Sequence, residues 1–236
     1  MSVHVKRRIG SALVTLLALI AFLLFSQNSY EPKPVVAEVS PASSPNQTQA
    51  LAKNVLEKLV VKGKSPLTGY SREEFYTNWP DINGCDARNV ILKRDLSDTK
   101  MDECLVLSGT LLDPYTGKTI NFERGKNSSA VQIDHVVALA DAWKKGASQM
   151  DKTQRKSLAS DPLNLLAVDG PANMQKSDSD AASWLPSNKA FRCQYVARQI
   201  SVKYKYALWI TDSEKNTMSQ VLEKCPNEPA LGVNLD

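Results

Sequence analysis

The hydrophobic positions mark out a chain of short, mixed elements. Leu51, Val55 and Leu59 recur at i, i+4 and i+8 ahead of Gly63, the spacing of a short amphipathic helix with a stop. Ser71-Arg72-Glu73-Glu74 is a capping box that opens a second short helix. Asp86 can cap a third, running through Val90 and Ile91 to about Arg94. Leu105 to Leu112 and Lys118 to Phe122 have strand composition, and Asp113-Pro114-Tyr115-Thr116-Gly117 between them has turn chemistry, so together they predict a β-hairpin. Val131 to Asp134 and Leu163 to Val168 are short apolar strands. Val136 to Lys145 has helical spacing and stops at Gly146. Pro171 suits the first turn of a helix that extends to about Trp184. Two longer helices follow. Asn188 can cap the first, with Phe191, Tyr195 and Val202 on one side; Thr211 opens the second, which carries Met218, Val221 and Leu222. The pattern is α+β.

The ends of the chain read differently. Lys6, Arg7 and Arg8 precede a 17-residue uncharged run, Ile9 to Phe25, as in a signal peptide or an uncleaved signal anchor that would tie the protein to a membrane. Residues 1–37 are assigned to that segment, 38–48 to a Pro/Ser-rich spacer, and 49–236 to one folded domain. At 236 residues, with 42% hydrophobic and 23% charged positions, the composition is that of a globular protein and excludes collagen-like, coiled-coil and polytopic membrane chains. The net charge is +4, but Lys6, Arg7, Arg8 and Lys33 against Glu31 account for +3 of it. The domain is therefore close to neutral, and charge alone makes no case for a nucleic-acid partner.

Cys85, Cys104, Cys193 and Cys225 all follow the export segment. An even count outside the cytosol favours two disulfides, with three possible connectivities. Sequence order favours Cys85–Cys104. Antiparallel packing of the last two helices would bring Cys193 to Cys225. A zinc site built from the four thiolates lacks any CxxC pair.

The chemistry concentrates between Gln132 and Asp180. Ile133-Asp134-His135-Val136-Val137 ends one strand; Asp161-Pro162-Leu163-Asn164-Leu165 enters another; Asn173-Met174-Gln175-Lys176 lies in a helix. Asp134 and the amide oxygen of Asn173 are hard donors suited to Mg²⁺ or Mn²⁺, an ion that keeps waters and leaves positions for a substrate phosphate. His135 can take a proton from water. That is equipment for metal-assisted phosphodiester hydrolysis.

With Gly84-Cys85-Asp86-Ala87-Arg88-Asn89, Asp113 to Gly117, Asp161 to Val168 and Trp184-Leu185-Pro186, these segments resemble the HNH endonuclease superfamily. More closely, residues from about Tyr70 to Pro226 are similar to secreted bacterial HNH-family proteins whose domain is shared with the C-terminal part of GmrSD-type restriction endonucleases. The resemblance implies a ββα-metal finger embedded in a mainly helical domain. It also implies a nuclease acting on DNA, with RNA as the alternative, and with little sequence specificity. It makes His135 the general base, Asn164 the residue that orients it, and Asp134 and Asn173 the metal ligands. Asn173 stands where the family often has His, which favours harder ions over Zn²⁺. Lys176, one turn beyond Asn173, is a candidate phosphate contact, as are Arg88 and Arg124.

Two rivals have less behind them. A catalytically silent, surface-anchored binding module would keep the same fold. A Ser–His–Asp hydrolase would also need His135, because the other of the two histidines is His4, and the chain has no Gly-x-Ser-x-Gly elbow. Trp79, Trp143, Trp184 and Trp209 share no spacing and read as core or surface anchors rather than a base-stacking platform.

Overall fold

Three small antiparallel sheets, each tied to helices, build the protein in its computed structural model, which describes residues 49–234. The expected export segment and spacer lie outside the described residues. In chain order the elements are α1 (Ala52–Leu56), β1 (Asp81–Ile82), β2 (Cys85–Asp86), α2 (Ala87–Asp95), β3 (Ser97–Asp102), β4 (Leu105–Leu112), β5 (Thr119–Glu123), β6 (Val131–His135), α3 (Leu139–Lys144), α4 (Lys152–Ser160), β7 (Leu165–Asp169), α5 (Gly170–Lys176), α6 (Arg192–Lys205) and α7 (Asp212–Leu222). The mixture is α+β, as expected.

The expected hairpin is present and acquires a third strand. β4 pairs with β5 through Leu111↔Ile120, and β3 lies on the other edge of β4. β3 escaped the hydrophobic pattern because Ser97-Asp98-Thr99-Lys100-Met101-Asp102 is a polar edge strand with no buried residue. Cys85 joins Cys104, stapling β2 to the β3–β4 turn, and Cys193 joins Cys225, stapling the start of α6 to the end of α7.

The central feature is β6 paired with β7, from Val131↔Asp169 to His135↔Leu165, with α5 following at once. Asp169 caps α5 by accepting the Ala172 N–H at 2.8 Å, and Pro171 sits in its first turn. Gly170 is obligatory there, since a Cβ would come within 2.2 Å of the Ser129 carbonyl oxygen. Asp113, fully buried in the hairpin turn, accepts the Asp169 N–H at 2.8 Å and so locks that turn to the end of β7.

Several boundaries differ from expectation. α5 stops at Lys176 rather than near Trp184, because Ser177 takes φ +50° and the chain then turns to pair the half-exposed Asp178 with Lys144 and the buried Asp180 with Lys145. Residues 71–74 form a single 3₁₀ turn without a Ser71 cap. The helix expected from Val136 starts only at Leu139, and Asp134 does not cap it. Asn188 caps a 3₁₀ turn that leads into α6. The Leu51–Gly63 helix shrinks to α1. α4, which hydrophobic spacing misses, has a complete capping box between Asp151 and Gln154.

Three apolar clusters fill the interior. One joins α1, α6 and α7; one lies between α2, the hairpin sheet and the β6–β7 pair; one surrounds Trp143. A buried charge cluster ties α3, α6 and α7 together. Lys145 lies 2.7 Å from Asp141, 2.8 Å from Asp180 and 2.7 Å from Glu214, and Lys203 bonds Glu214.

Candidate active site

His135 is the last residue of β6, and the residue is 5% exposed. Its Nε2 lies 2.9 Å from the carbonyl oxygen of Ala159, in the last turn of α4. A helix leaves its final carbonyls without internal partners, and here three of them are used. Tyr206 Oη bonds Ser157, Asn164 Nδ2 bonds Leu158, and the imidazole bonds Ala159. A carbonyl can only accept, so Nε2 carries the proton of the neutral ring and Nδ1 is its basic nitrogen. Burial pushes the imidazole down to about pKa 3; the Ala159 carbonyl pulls it up, and Arg72 and Lys176 push it lower still. The ring is therefore neutral at physiological pH.

Asp134 precedes it and is equally buried. Tyr115, in the hairpin turn, donates its hydroxyl to Asp134 Oδ2 at 2.5 Å, and the Lys176 ammonium reaches Oδ1 at 2.9 Å and the His135 carbonyl at 2.9 Å. Burial holds the Tyr115 phenol well above its usual value, so it stays a donor. Burial also raises Asp134, against the pull of Lys176 and Tyr115.

Asn164 is completely buried and makes no bond to the His135 ring. Its Oδ1 accepts the Val137 N–H at 2.8 Å, and its Nδ2 reaches the Val137 and Leu158 carbonyls at 3.3 Å each. It thus pins the turn after His135 to the end of the helix that holds the His135 ring. Asn173 donates to Gln132 Oε1 at 2.8 Å.

A cavity of about 360 Å³ gathers His135, Asp134 and Asn173 together with Arg72, Asp178 and Tyr70. Three expected phosphate contacts lie elsewhere. Lys176 is fully buried and spent on Asp134. Arg88 bonds the carbonyls of Ser128 and Val131, and Arg124 bonds the Val106 carbonyl and Asn89 Oδ1, so both brace backbone. Arg72 was not singled out by the sequence. It is exposed, donates to Tyr76 Oη at 2.6 Å and lies over the Tyr76 ring. Asp178, its side chain 47% exposed, was likewise missed. Trp79 packs against the cluster of α2 and the β6–β7 pair, an anchor as expected, and its ring also lies 6.1 Å from the imidazole at 5° to it.

The donors suit a hard cation in type. Each Asp134 oxygen accepts one hydrogen bond and retains lone-pair capacity. Because burial keeps this carboxylate raised even beside Lys176, further positive charge would stabilise it. Among the described residues, however, the one group of three His, Cys, Asp or Glu ligand atoms is Cys193, Cys225 and Glu228, whose sulfurs form a disulfide. A cation in the cavity would therefore depend on water and substrate oxygens for most of its shell, as Mg²⁺ commonly does.

Residues 86–221 match the family model described as GmrSD restriction endonucleases, C-terminal domain. The chain is 36% identical over 197 residues, 81% of its own length and 94% of the relative's, to a protein of Arthroderma benhamiae (strain ATCC MYA-4681 / CBS 112371) named "Uncharacterized secreted protein". No solved structure matches.

Proposed function

The chain belongs to the family of GmrSD restriction endonuclease C-terminal domains, which is nuclease-related, and on that premise we propose that it is an exported, metal-dependent endonuclease of the HNH type. Its substrate is DNA first, RNA second. The observation that supports this most directly is the His135 imidazole, held neutral by burial and tautomer-locked by Ala159 in a cavity shared with Asp134, Asn173 and Arg72.

In this reading a water gives its proton to His135 Nδ1 as its oxygen bonds to phosphorus. The bond from phosphorus to the leaving oxygen then breaks. A negative phosphate beside the imidazole raises its proton affinity, which suits a base that burial has made weak. Arg72 neutralises a non-bridging oxygen. Asn164 acts through the Val137 turn and is a positioning residue. Lys176 favours the ionised form of Asp134 against its burial and holds the carboxylate in place. Asp134 and Asn173 would hold Mg²⁺ or Mn²⁺, with Asp178 at hand, and the ion when bound supplies Lewis-acid stabilisation of the phosphate. The near-neutral domain argues against tight, salt-driven binding. The secreted relative and two disulfides support an extracytoplasmic site.

Plasmid nicking tests the reading. Wild-type protein should nick in Mg²⁺ and stop in EDTA, and His135→Ala should lose about 10²–10⁴ of rate while staying folded. Equal nicking by the variant would remove His135 as base. The Lys176–Asp134 ion pair favours one second reading, a domain that binds without cleaving. Retained binding with no Mg²⁺- or Mn²⁺-dependent nicking would select it.

A further inference from the structure

Beside the imidazole lies a second groove, of about 320 Å³, lined by Tyr76, Trp79, Lys152 and Lys156, with Glu73 and Asp81 also on its wall. We propose that it is a stacking subsite for an unpaired nucleobase next to the scissile phosphate, so that the enzyme's preferred substrate is single-stranded or locally unpaired nucleic acid. The proposal rests on the nuclease reading above.

The groove and the His135 cavity have separate linings, and the rings of Tyr76 and Trp79 join them by packing against the imidazole. The Tyr76 and Trp79 centroids are 5.6 Å apart, and they lie 6.0 and 6.1 Å from the imidazole centroid. Both aromatic side chains are only half-buried. Trp143, Trp184 and Trp209 each place the indole N–H on an oxygen, whereas Trp79 has no hydrogen-bond partner among the described residues. Trp79 packs in part against the cluster between α2, the hairpin sheet and the β6–β7 pair, and its remaining surface borders the groove beside the imidazole.

The cations are placed by the same helix that fixes the base. Lys152 and Lys156 are four residues apart on one face of α4, whose Ala159 carbonyl holds His135. Arg155, from the same helix, fastens the aromatic segment by bonding the Glu74 carbonyl at 3.0 Å and its carboxylate at 2.9 Å. Asp81 is occupied in its own turn, accepting the Gly84 N–H at 2.9 Å. Two lysines facing two acids make a weak field for a polyanion. Phosphate attraction alone therefore does not recommend this groove, and a base face must contribute. Base–aromatic stacking is open to unpaired bases and tolerant of sequence.

The test measures binding in EDTA, so that cleavage does not intervene. A 12-nucleotide single strand is compared with a strand of equal length and charge carrying abasic positions, and with a blunt duplex. The normal strand should bind roughly ten-fold or more tightly than the abasic one, and more tightly than the duplex. Trp79→Ala should reduce the base-to-abasic ratio to near one with abasic binding unchanged, while Trp79→Phe retains the ratio. Equal affinity of wild-type protein for normal and abasic strands, tighter binding of duplex, or a folded Trp79→Ala that keeps the ratio would overturn the subsite. The wild-type comparison needs no variant to fold. If the protein nicks plasmid in Mg²⁺ but ignores the base, the subsite falls and the nuclease reading stands. Neither cleavage nor binding of any strand overturns both.

Discussion

Lys176 places its ammonium 2.9 Å from Asp134 Oδ1, and neither side chain is more than 6% exposed. A buried ion pair of this kind costs desolvation on both sides, so breaking it from one side is far worse than replacing both partners. Lys176→Met should destabilise the protein by about 3–5 kcal/mol near neutral pH. Lys176→Met combined with Asp134→Asn should recover a large part of that loss. Urea midpoints of the two single variants and the double variant measure the coupling. Additive effects would mean that the ammonium and carboxylate do not depend on one another.

Asn164 makes a second, separable prediction. Its amide joins Val137 to Leu158, on either side of the imidazole's anchorage at Ala159. Asn164→Ala leaves a buried N–H and two carbonyls short of partners and should cost about 1–3 kcal/mol. A small displacement of the base should also lower kcat by about 10²-fold. KM should stay near the wild-type value, because Asn164 touches no substrate-facing surface. A rise in KM with unchanged kcat would contradict the positioning role.

Much of this arrangement could be read from residue order, because local chemistry sets it. The Asp113–Gly117 turn, the two strands around Asp134 and Asn164, and the Asp169-Gly170-Pro171 helix start all carry their own signals. Pairing of the four cysteines followed from order and helix packing. What could not be read depends on contacts far apart in sequence. Nothing local shows that Tyr115 will donate to Asp134, or that Lys176 will be spent on Asp134 rather than on a phosphate. Arg72 and Trp79 reach His135 across about sixty residues of chain and follow no common spacing with it. α4 and β3 are exceptions: the Asp151–Gln154 capping box is visible, but the Lys-Thr-Gln-Arg-Lys-Ser run of α4, like the polar edge strand β3, is too polar for hydrophobic spacing to find.

Acid should expose the buried imidazole. His135 titrates at about 3 in the folded protein, against 6.5 for an unperturbed histidine, with burial as the main cause. Its contribution to stability is complete above pH 6.5. Below that, the unfolded chain takes up a proton that the folded chain refuses, and stability falls by up to about 1.4 kcal/mol per pH unit until the folded value is reached. Asp134 acts in the opposite sense, since burial raises it and the folded form gains a proton first. His135→Asn should therefore flatten the loss between pH 6.5 and 5, the range just below the ordinary pKa of histidine and above those of Asp and Glu. Denaturant midpoints at pH 7, 6 and 5 measure it. Parallel curves for wild type and variant would show that the imidazole is free to protonate in the fold.

Arg72 separates a substrate-facing cation from the structural arginines. It lies in the His135 cavity, exposed, with its guanidinium placed by the Tyr76 hydroxyl and ring, and it makes no bond to the backbone of another element. Arg124, in contrast, bonds the Val106 carbonyl and Asn89. Arg72→Ala should therefore lower kcat by roughly 10²-fold, as loss of a charge-stabilising donor does, with little change in stability. It should also reduce the slope of log affinity against log salt by about 0.7–0.9, the share of one neutralised phosphate. Arg72→Lys should restore the salt slope but only part of kcat, because a point charge replaces a two-pronged donor. Arg124→Met should do the reverse, costing stability with the salt slope intact. Cleavage rates and salt titrations on these three variants decide the matter, and an unchanged slope in Arg72→Ala would remove Arg72 from the phosphate.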